Sequence, residues 1–411
     1  MATVADTPRV SVGRLAWVVV LLALSVLLCY VDRGAIGIAA PLMKQELGLS
    51  ATGFGTAVSA FFWVYAPLCL VVGWLCDRFC VYRMFAAGIA LWALATMLTG
   101  FINGIGLLIV LRLLLGLGEC IAFPGSSKIF AAEVPATQRG MANAMIAAAL
   151  AFGPAVGTLA GGTILLAAGW RAVFWIFGAV TLLWLVPWHF VSAPLRSHSV
   201  SVPVTEPVPM ARLLRMPTLW LMGIGHFATN YPFYFLLTWL PLFLVKSRGY
   251  SIEEMTLIST LGFFAQGISA LVMGRLSDRA VMRGAAEGPL RRQLMVLGQA
   301  LGAGAIVGVW FAGNAWTLGA CLVIAGIGTG LTSTNLFAIG QIFGGPRAAG
   351  GWIGAQNALG NCAGIVGPVV TGLIVDAFGS YGWAFALTAA VPALGALWWW
   401  RVIPEIRTVA V

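Results

Sequence analysis

Four ionisable residues of this sequence stand inside apolar stretches that are long enough to cross a lipid bilayer. Arg112 and Glu119 are seven residues apart, which places them on one helix face, two turns from each other. Asp32 and Arg33 lie in a second apolar stretch. Each such charge costs about 2.5–3.5 kcal/mol at the centre of a membrane helix. They are either ion pairs that join helices or a buried site for an anion and a proton, and the rarity of intramembrane charges favours the site.

The composition places these residues in an integral membrane protein. Of the 411 residues, 60% are hydrophobic and only 9% are charged, whereas about a quarter of a soluble domain is charged. Twelve apolar runs predict twelve helices, at about residues 15–40, 53–76, 84–102, 104–131, 140–167, 170–191, 217–245, 255–275, 293–312, 315–343, 348–376 and 380–400. The seven cysteines have no metal-ligand spacing, and we interpret them as small packing residues.

The net charge of +10 is explained by the distribution of basic residues between the two sides of the membrane. It gives no support for nucleic-acid binding. Most lysines and arginines fall at the two termini and in the connections on the same side. The other side holds only Lys44, Arg171, Lys246 and Arg248. Because positively charged loops stay in the cytoplasm, both termini are predicted to be cytoplasmic.

The second half of the chain repeats motifs of the first half in the same order. Gly73…Asp77-Arg78 recurs as Gly274…Asp278-Arg279, Gly153-Pro154 as Gly367-Pro368, and Gly169-Trp170 as Gly382-Trp383. This pattern predicts an all-α membrane protein of two six-helix bundles related by a parallel repeat. The predicted units are 1–191, a proline-rich, extended cytoplasmic linker 192–212, and 213–411.

The repeated Asp-Arg turns suggest a conformational role. Asp77-Arg78 and Asp278-Arg279 each follow a predicted helix on the cytoplasmic side. A carboxylate beside an arginine can bond helix ends across a gap that opens and closes. We therefore expect these four residues to act in gating.

The motifs resemble those of the major facilitator superfamily over essentially the whole chain. Gly73-x-x-x-Asp77-Arg78 with Arg83, Arg112-x-x-x-Gly116 and Gly153-Pro154-x-x-Gly157 carry this resemblance. Tyr30-Val-Asp32-Arg33, together with Arg112, Glu119 and Phe123-Pro124, is similar to the anion:cation symporter family, which includes bacterial hexuronate, galactonate and glucarate symporters and is kin to vesicular glutamate and sialic acid transporters.

That resemblance implies a monomeric inner-membrane protein that imports an organic anion by alternating access. A proton gradient would supply the energy, with no cofactor and no metal. Asp32 and Glu119 would carry protons, Arg33 would bind the substrate carboxylate, and Arg112 would be the partner of Glu119. If an incoming carboxylate takes Arg33 for itself, the acid that Arg33 had stabilised should bind a proton.

Neutral polar residues at membrane depth are candidates for recognising the hydroxyl groups of a sugar acid, although interhelical hydrogen bonding alone also explains them. In addition to Arg33, the substrate-binding candidates are Tyr30, Tyr65, Asn230, Tyr234, Gln266, Ser333, Asn357 and Asn361. One central arginine favours monoacids such as hexuronates or aldonates.

Other function classes are less well supported. An enzyme would need a nucleotide loop, metal ligands or a nucleophile with its base, and the sequence has no such motif and only three histidines. A receptor would not explain the repeated halves. A proton antiporter that exports organic compounds, or an importer of an aromatic or other monocarboxylic acid, remains an alternative.

Overall fold

The protein is all-helical throughout the residues that the computed structural model describes, namely 12–134, 138–198 and 208–409. This confirms the predicted fold class. The helices are α1 (Val12–Glu46), α2 (Ala51–Leu68), α3 (Val72–Arg78), α4 (Val81–Thr99), α5 (Ile105–Glu119), α6 (Ala122–Glu133), α7 (Arg139–Leu183), α8 (Leu185–Ser192), α9 (Met210–Leu213), α10 (Pro217–Lys246), α11 (Ile252–Met282), α12 (Glu287–Phe311), α13 (Ala315–Phe378) and α14 (Gly382–Arg401).

Ten helical segments of the described ranges are long and apolar enough to cross a membrane. One of them, Met141–Arg196, contains 56 residues and bends at Gly169, where φ is 81°. Only glycine adopts that conformation readily. At about 1.5 Å per residue this segment is far longer than a bilayer is thick, so it supplies two crossings. Helix α2, 18 residues long, supplies another, which accounts for the twelve predicted runs.

Three predicted runs are broken in the structure, and the run 170–191 is divided only at Trp184, between α7 and α8. The run 53–76 divides into α2 and α3, with Pro67 in the last turn of α2. The run 104–131 divides into α5 and α6 at residues 120–121. Pro124 has no N–H group to donate to the preceding turn, which explains this break. Glu119 is therefore the last residue before a kink in the membrane-spanning segment Ile105–Phe130.

The predicted linker is only partly extended. Ser192 ends α8, and a 3₁₀ helix continues over Ala193–His198. Short helix α9 precedes the second half. Residues 199–207 lie outside the described ranges.

The two halves of the chain approach most closely near the connections 47–50 and 247–251, a region that we call the distal end. A Cβ atom on Gly37 would lie 2.1 Å from the Leu237 carbonyl oxygen, and one on Gly55 would lie 2.1 Å from the Pro368 carbonyl oxygen. Any side chain at these positions would force the halves apart. Glycine therefore permits backbone contact between them.

Glycine also sets the distance between α4 and α5. A Cβ atom on Gly118 would lie 2.7 Å from the Gly88 carbonyl oxygen and 2.7 Å from Trp92 Cβ. A Cβ atom on Gly106, on the same helix, would have no neighbouring heavy atom within 4 Å among the described residues. The two glycines therefore differ in packing but share one helix.

We expect Gly118→Ala to destabilise the protein by about 1–3 kcal/mol, because its methyl group must displace backbone. Gly106→Ala should be neutral or stabilise by up to about 1 kcal/mol, because alanine has the higher helix propensity. Thermal unfolding of the detergent-solubilised variants measures both. Equal effects of the two substitutions would contradict this account of the α4–α5 contact.

Candidate functional site

The centre of the candidate site is an ion pair between the first and fifth helices. Arg33 Nε on α1 lies 2.6 Å from Glu119 Oε2 at the end of α5. The side chains are 3% and 0% exposed, so water does not screen the pair. Arg33 Nη2 and Glu119 Oε1 are also buried, and neither has a hydrogen-bond partner within the described part of the chain. Each member of the pair thus keeps one unused polar atom.

Three aromatic rings surround the Arg33 guanidinium. Its central carbon lies 4.9 Å from the ring centre of Tyr30, 4.8 Å from that of Phe61 and 4.5 Å from that of Tyr65. A desolvated cation–π contact contributes about 2 kcal/mol. Phe61 and Tyr65 also stack on each other at 5.0 Å. The rings therefore hold the cation in place without using its hydrogen-bond donors.

Cys29 belongs to the same cluster, which the sequence interpretation missed. Its Sγ lies 2.8 Å from Glu119 Oε2. The spacing Cys29-x-x-x-Arg33, one helical turn, is a signal that would have placed the thiol on the face of the arginine.

Asp32 faces a different environment from its neighbour Arg33. Its Oδ2 accepts hydrogen bonds from Trp92 Nε1 at 2.9 Å and from the hydroxyls of Thr96 and Thr181 at 3.4 Å. Its Oδ1 is buried with no hydrogen-bond partner in the ranges that the structure covers. Consecutive helix residues point about 100° apart, so the Asp32 carboxylate is held by neutral donors of α4 and α7 rather than by Arg33.

The structure corrects the expected partner of Glu119. Arg112 is buried beside Phe61, with its guanidinium carbon 5.3 Å from the ring centre, and it forms no ion pair with Glu119. Glu119 is bonded by Arg33 and Cys29 instead. Arg112 lies seven residues before Glu119, about 10 Å along the helix axis, whereas Arg33 reaches the carboxylate from α1.

The second half contributes a row of neutral polar side chains. Tyr234 on α10 donates its hydroxyl to Asn361 Oδ1 at 2.5 Å. Asn361 Nδ2 in turn donates to the Asn357 carbonyl oxygen at 2.7 Å and to Asn357 Oδ1 at 3.0 Å. The Asn357 amide is 3.7 Å from Cys69 Sγ, and the Tyr234 ring lies 4.6 Å from that of Phe62. The row therefore contacts the first half beside Arg33.

Three further candidates are not brought to Arg33 by any contact in the described residues. Ser333 donates to the Gly330 carbonyl oxygen of its own helix at 3.3 Å. Gln266 is buried where α11 packs on α13. Asn230 is half-buried on α10.

In the second Asp-Arg turn the carboxylate bonds a neighbouring helix, and its gating role stays a prediction. Asp278 pairs with Arg291 on α12 at 3.1 Å, whereas Arg279 is exposed. Arg291 also bonds Glu287 and Asn335. In the first turn Arg78 is exposed on α3, and the Asp77 side chain lies outside the described part of the structure.

A contact that the sequence interpretation missed closes the distal end. Asp376 in the last turns of α13 accepts the backbone N–H groups of Ala51 at 2.9 Å and Thr52 at 2.7 Å, the first two residues of α2. A carboxylate is favourable there because the helix dipole is positive at its N-terminus. Lys246 also donates to Gln45 across the halves at 2.7 Å. The amide donors carry no sequence signature, which explains the omission.

Comparison with known proteins decides the family. The Major Facilitator Superfamily model matches residues 22–286 and 247–410. This chain belongs to the major facilitator superfamily. It is therefore a multi-pass membrane transport protein and not an enzyme.

Several superfamily members resemble the chain over most of its length. A probable sulfoacetate transporter of Cupriavidus necator is 30% identical, covering 90% of this chain and 89% of its own. A hexuronate transporter of Bacillus subtilis is 28% identical, covering 92% of each chain. A probable galactarate/D-glucarate transporter of Escherichia coli is 27% identical, covering 96% and 94%. The chain thus resembles transporters of small organic anions.

A solved superfamily structure has the same fold. The inward-facing, unoccupied bacterial homologue of the human lysosomal transporter Spinster has a TM-score of 0.80 at 17% identity, covering 95% of this chain and 97% of its own. At this identity the likeness concerns the fold.

We expect Asp376→Asn to weaken the contact between α13 and the start of α2. Loss of the charge should reduce the stability of this contact by about 1–2 kcal/mol. The two amides should then exchange roughly 5- to 30-fold faster. Hydrogen–deuterium exchange of the Ala51 and Thr52 amides measures this. Glu46→Gln is the control, because exposed Glu46 pairs with Arg171 and Trp170 within the first half. Unchanged exchange in Asp376→Asn would contradict the role of this carboxylate.

Proposed function

We propose that this protein is a symporter that imports a small organic carboxylate together with protons by alternating access. The observation that carries the proposal is that the Arg33 guanidinium uses one of its donors for Glu119 and leaves another unused. Its Nε binds Glu119, while its buried Nη2 has no partner in the described residues. One arginine thus faces a protein carboxylate and retains a donor for a second one.

The anion-binding step follows from this geometry. A substrate carboxylate that enters among the side chains of Tyr30, Phe61 and Tyr65 reaches Arg33. Arg33 is the same cation that pairs with Glu119. The Arg33 fork can bind a carboxylate through two N–H groups. A buried cation also disfavours cationic export substrates through like-charge repulsion, which argues against the antiporter alternative.

Proton coupling follows from the charge balance. Glu119 neutralises Arg33 in the empty site. When a substrate carboxylate arrives, two negative charges share one guanidinium in a site with no exposed surface, which is unfavourable. Protonation of Glu119 at Oε1 restores neutrality. Once the anion is bound, the site is inexpensive to enclose only if Glu119 is protonated, so anion and proton move together.

Asp32 is proposed as a second proton carrier. Its carboxylate is surrounded by Trp92, Thr96 and Thr181, which are neutral donors, and no cation is bonded to it within the described residues. Arg112, which is buried with its guanidinium against Phe61 and interacts electrostatically with Glu119 and Asp32, would tune the charge of both acids. The gradient of protons supplies the energy, and no cofactor is required.

A sugar acid, such as a hexuronate or an aldonate, is the substrate class that we propose. The row of Tyr234, Asn361 and Asn357 supplies hydroxyl and amide groups next to the carboxylate site. The Asn361 amide is occupied by Asn357. Among the described residues the Asn357 amide has a weak thiol acceptor, Cys69 Sγ, at 3.7 Å, so it is the donor best placed for a substrate hydroxyl. The names of the hexuronate and glucarate relatives support this class.

An aromatic monocarboxylic acid is a second candidate, favoured by the rings that line the site. Tyr30 and Phe233 are in edge contact at 6.4 Å, and Phe233 lies 5.3 Å from Tyr234. Such walls accept a flat apolar ring as readily as the apolar face of a sugar.

The two bundles, 1–191 and 213–411, are proposed to rock about this central site as a monomer in the inner membrane, with both termini and the 192–212 linker cytoplasmic. The contact of Asp376 with α2 would close the outward side. The turns around Asp77 and Arg78, and around Asp278 and Arg279, would form the inward gate.

Uptake into proteoliposomes with an inward proton gradient tests this function. A panel of labelled hexuronates, aldonates, aldarates, aromatic acids and sulfoacetate identifies the substrate. We expect accumulation of one class that is abolished when the gradient is collapsed. Glu119→Gln should lose accumulation while retaining exchange, because glutamine mimics the protonated acid. Uphill transport by Glu119→Gln would remove Glu119 from coupling, and absence of uptake of every acid by folded protein would contradict the proposal.

A further inference from the structure

The thiol of Cys29 contacts the same oxygen atom that Arg33 holds. Cys29 Sγ and Arg33 Nε lie 2.8 Å and 2.6 Å from Glu119 Oε2. The two residues are one turn apart on α1, so both side chains reach the end of α5 from one helix face. Cys29 is 0% exposed, and burial strengthens the electrostatic part of a hydrogen bond.

The direction of this hydrogen bond follows from its neighbours. Glu119 Oε2 accepts the N–H of Arg33, so it acts as an acceptor and the Cys29 S–H group donates to it. The other oxygen, Oε1, is buried without a hydrogen-bond partner in the described residues. The carboxylate is therefore asymmetric, with two donors on one oxygen and none from the described residues on the other.

We propose that Cys29 is a positioning residue for proton coupling. Its thiol stabilises the ionised form of Glu119 and orients the carboxylate so that Oε1 receives the proton. This role rests on the proposed function, because it describes how the proton-carrying acid is held.

The role predicts the direction in which the pH dependence changes. A hydrogen-bond donor on Oε2 stabilises the carboxylate more than the neutral acid. Loss of the thiol removes one of the two donors from Glu119 Oε2. The pH midpoint of coupled transport should move upward.

The test compares substitutions that remove or retain the donor. Uptake of the acid that the wild-type protein accumulates is measured in proteoliposomes against pH. Cys29→Ala should raise the midpoint by about one pH unit, and so should Cys29→Val, which provides a second variant without a donor. Cys29→Ser keeps a donor, so its midpoint should stay at or below that of the wild type.

Cys120→Ala is the matched control for loss of a buried thiol. Cys120 Sγ donates at 2.9 Å to the Leu117 carbonyl oxygen of its own helix, so its removal should leave the midpoint unchanged. In exchange assays on a Glu119→Gln background, Cys29→Ala should no longer alter the pH dependence, because the titrating group is absent.

Each failure has a distinct meaning. Normal wild-type uptake with an unchanged midpoint in Cys29→Ala, or equal shifts in Cys29→Ala and Cys29→Ser, would overturn the role of Cys29 alone. A shift that persists on the Glu119→Gln background would overturn it as well. Absence of proton-driven uptake by the wild-type protein would overturn the proposed function, and this role with it.

Discussion

The contact between Arg33 and Glu119 is the interaction on which the rest of the site depends. Removing one partner of a buried ion pair costs about 3–5 kcal/mol, because the remaining charge is left without compensation. A buried site of this kind tolerates only balanced charge. The rings of Tyr30, Phe61 and Tyr65 fix the cation, and the break after α5 presents the carboxylate to it. The same requirement for neutrality links the proposed anion to a proton.

Helix α2 connects this site to the closure of the distal end. Its first two amides are held by Asp376 from the other half, and Phe61 and Tyr65 face the Arg33 guanidinium about 15–20 Å further along the helix. Opening of the distal end must release the start of α2, and the helix would carry that movement to the aromatic wall. Helix α2 would therefore couple the proposed alternation of access to the occupancy of the site.

The sequence predicted the helical class, the twelve crossings and the identity of the buried charges, because apolar length and charge cost are local properties. It did not predict which charges meet. Asp32 and Arg33 are adjacent in the chain but point into different pockets, and Arg112 lies against Phe61 while Arg33 binds Glu119. Such pairings depend on helix rotation and on the break at residues 120–121. Asp376 was missed because its partners are backbone amides 325 residues away along the chain. Cys29 was interpreted as a packing residue because burial of a thiol does not reveal its acceptor.

The central claim is that one guanidinium serves both Glu119 and the substrate, so that binding an anion requires binding a proton. Proton uptake on substrate binding, measured with a pH indicator in weakly buffered detergent solution, tests it most directly. A transported acid should draw protons from solution as it binds to the wild-type protein, and less or none on binding to Glu119→Gln, by linkage between the two equilibria. Tight binding of the acid to the wild-type protein without proton uptake would contradict the account.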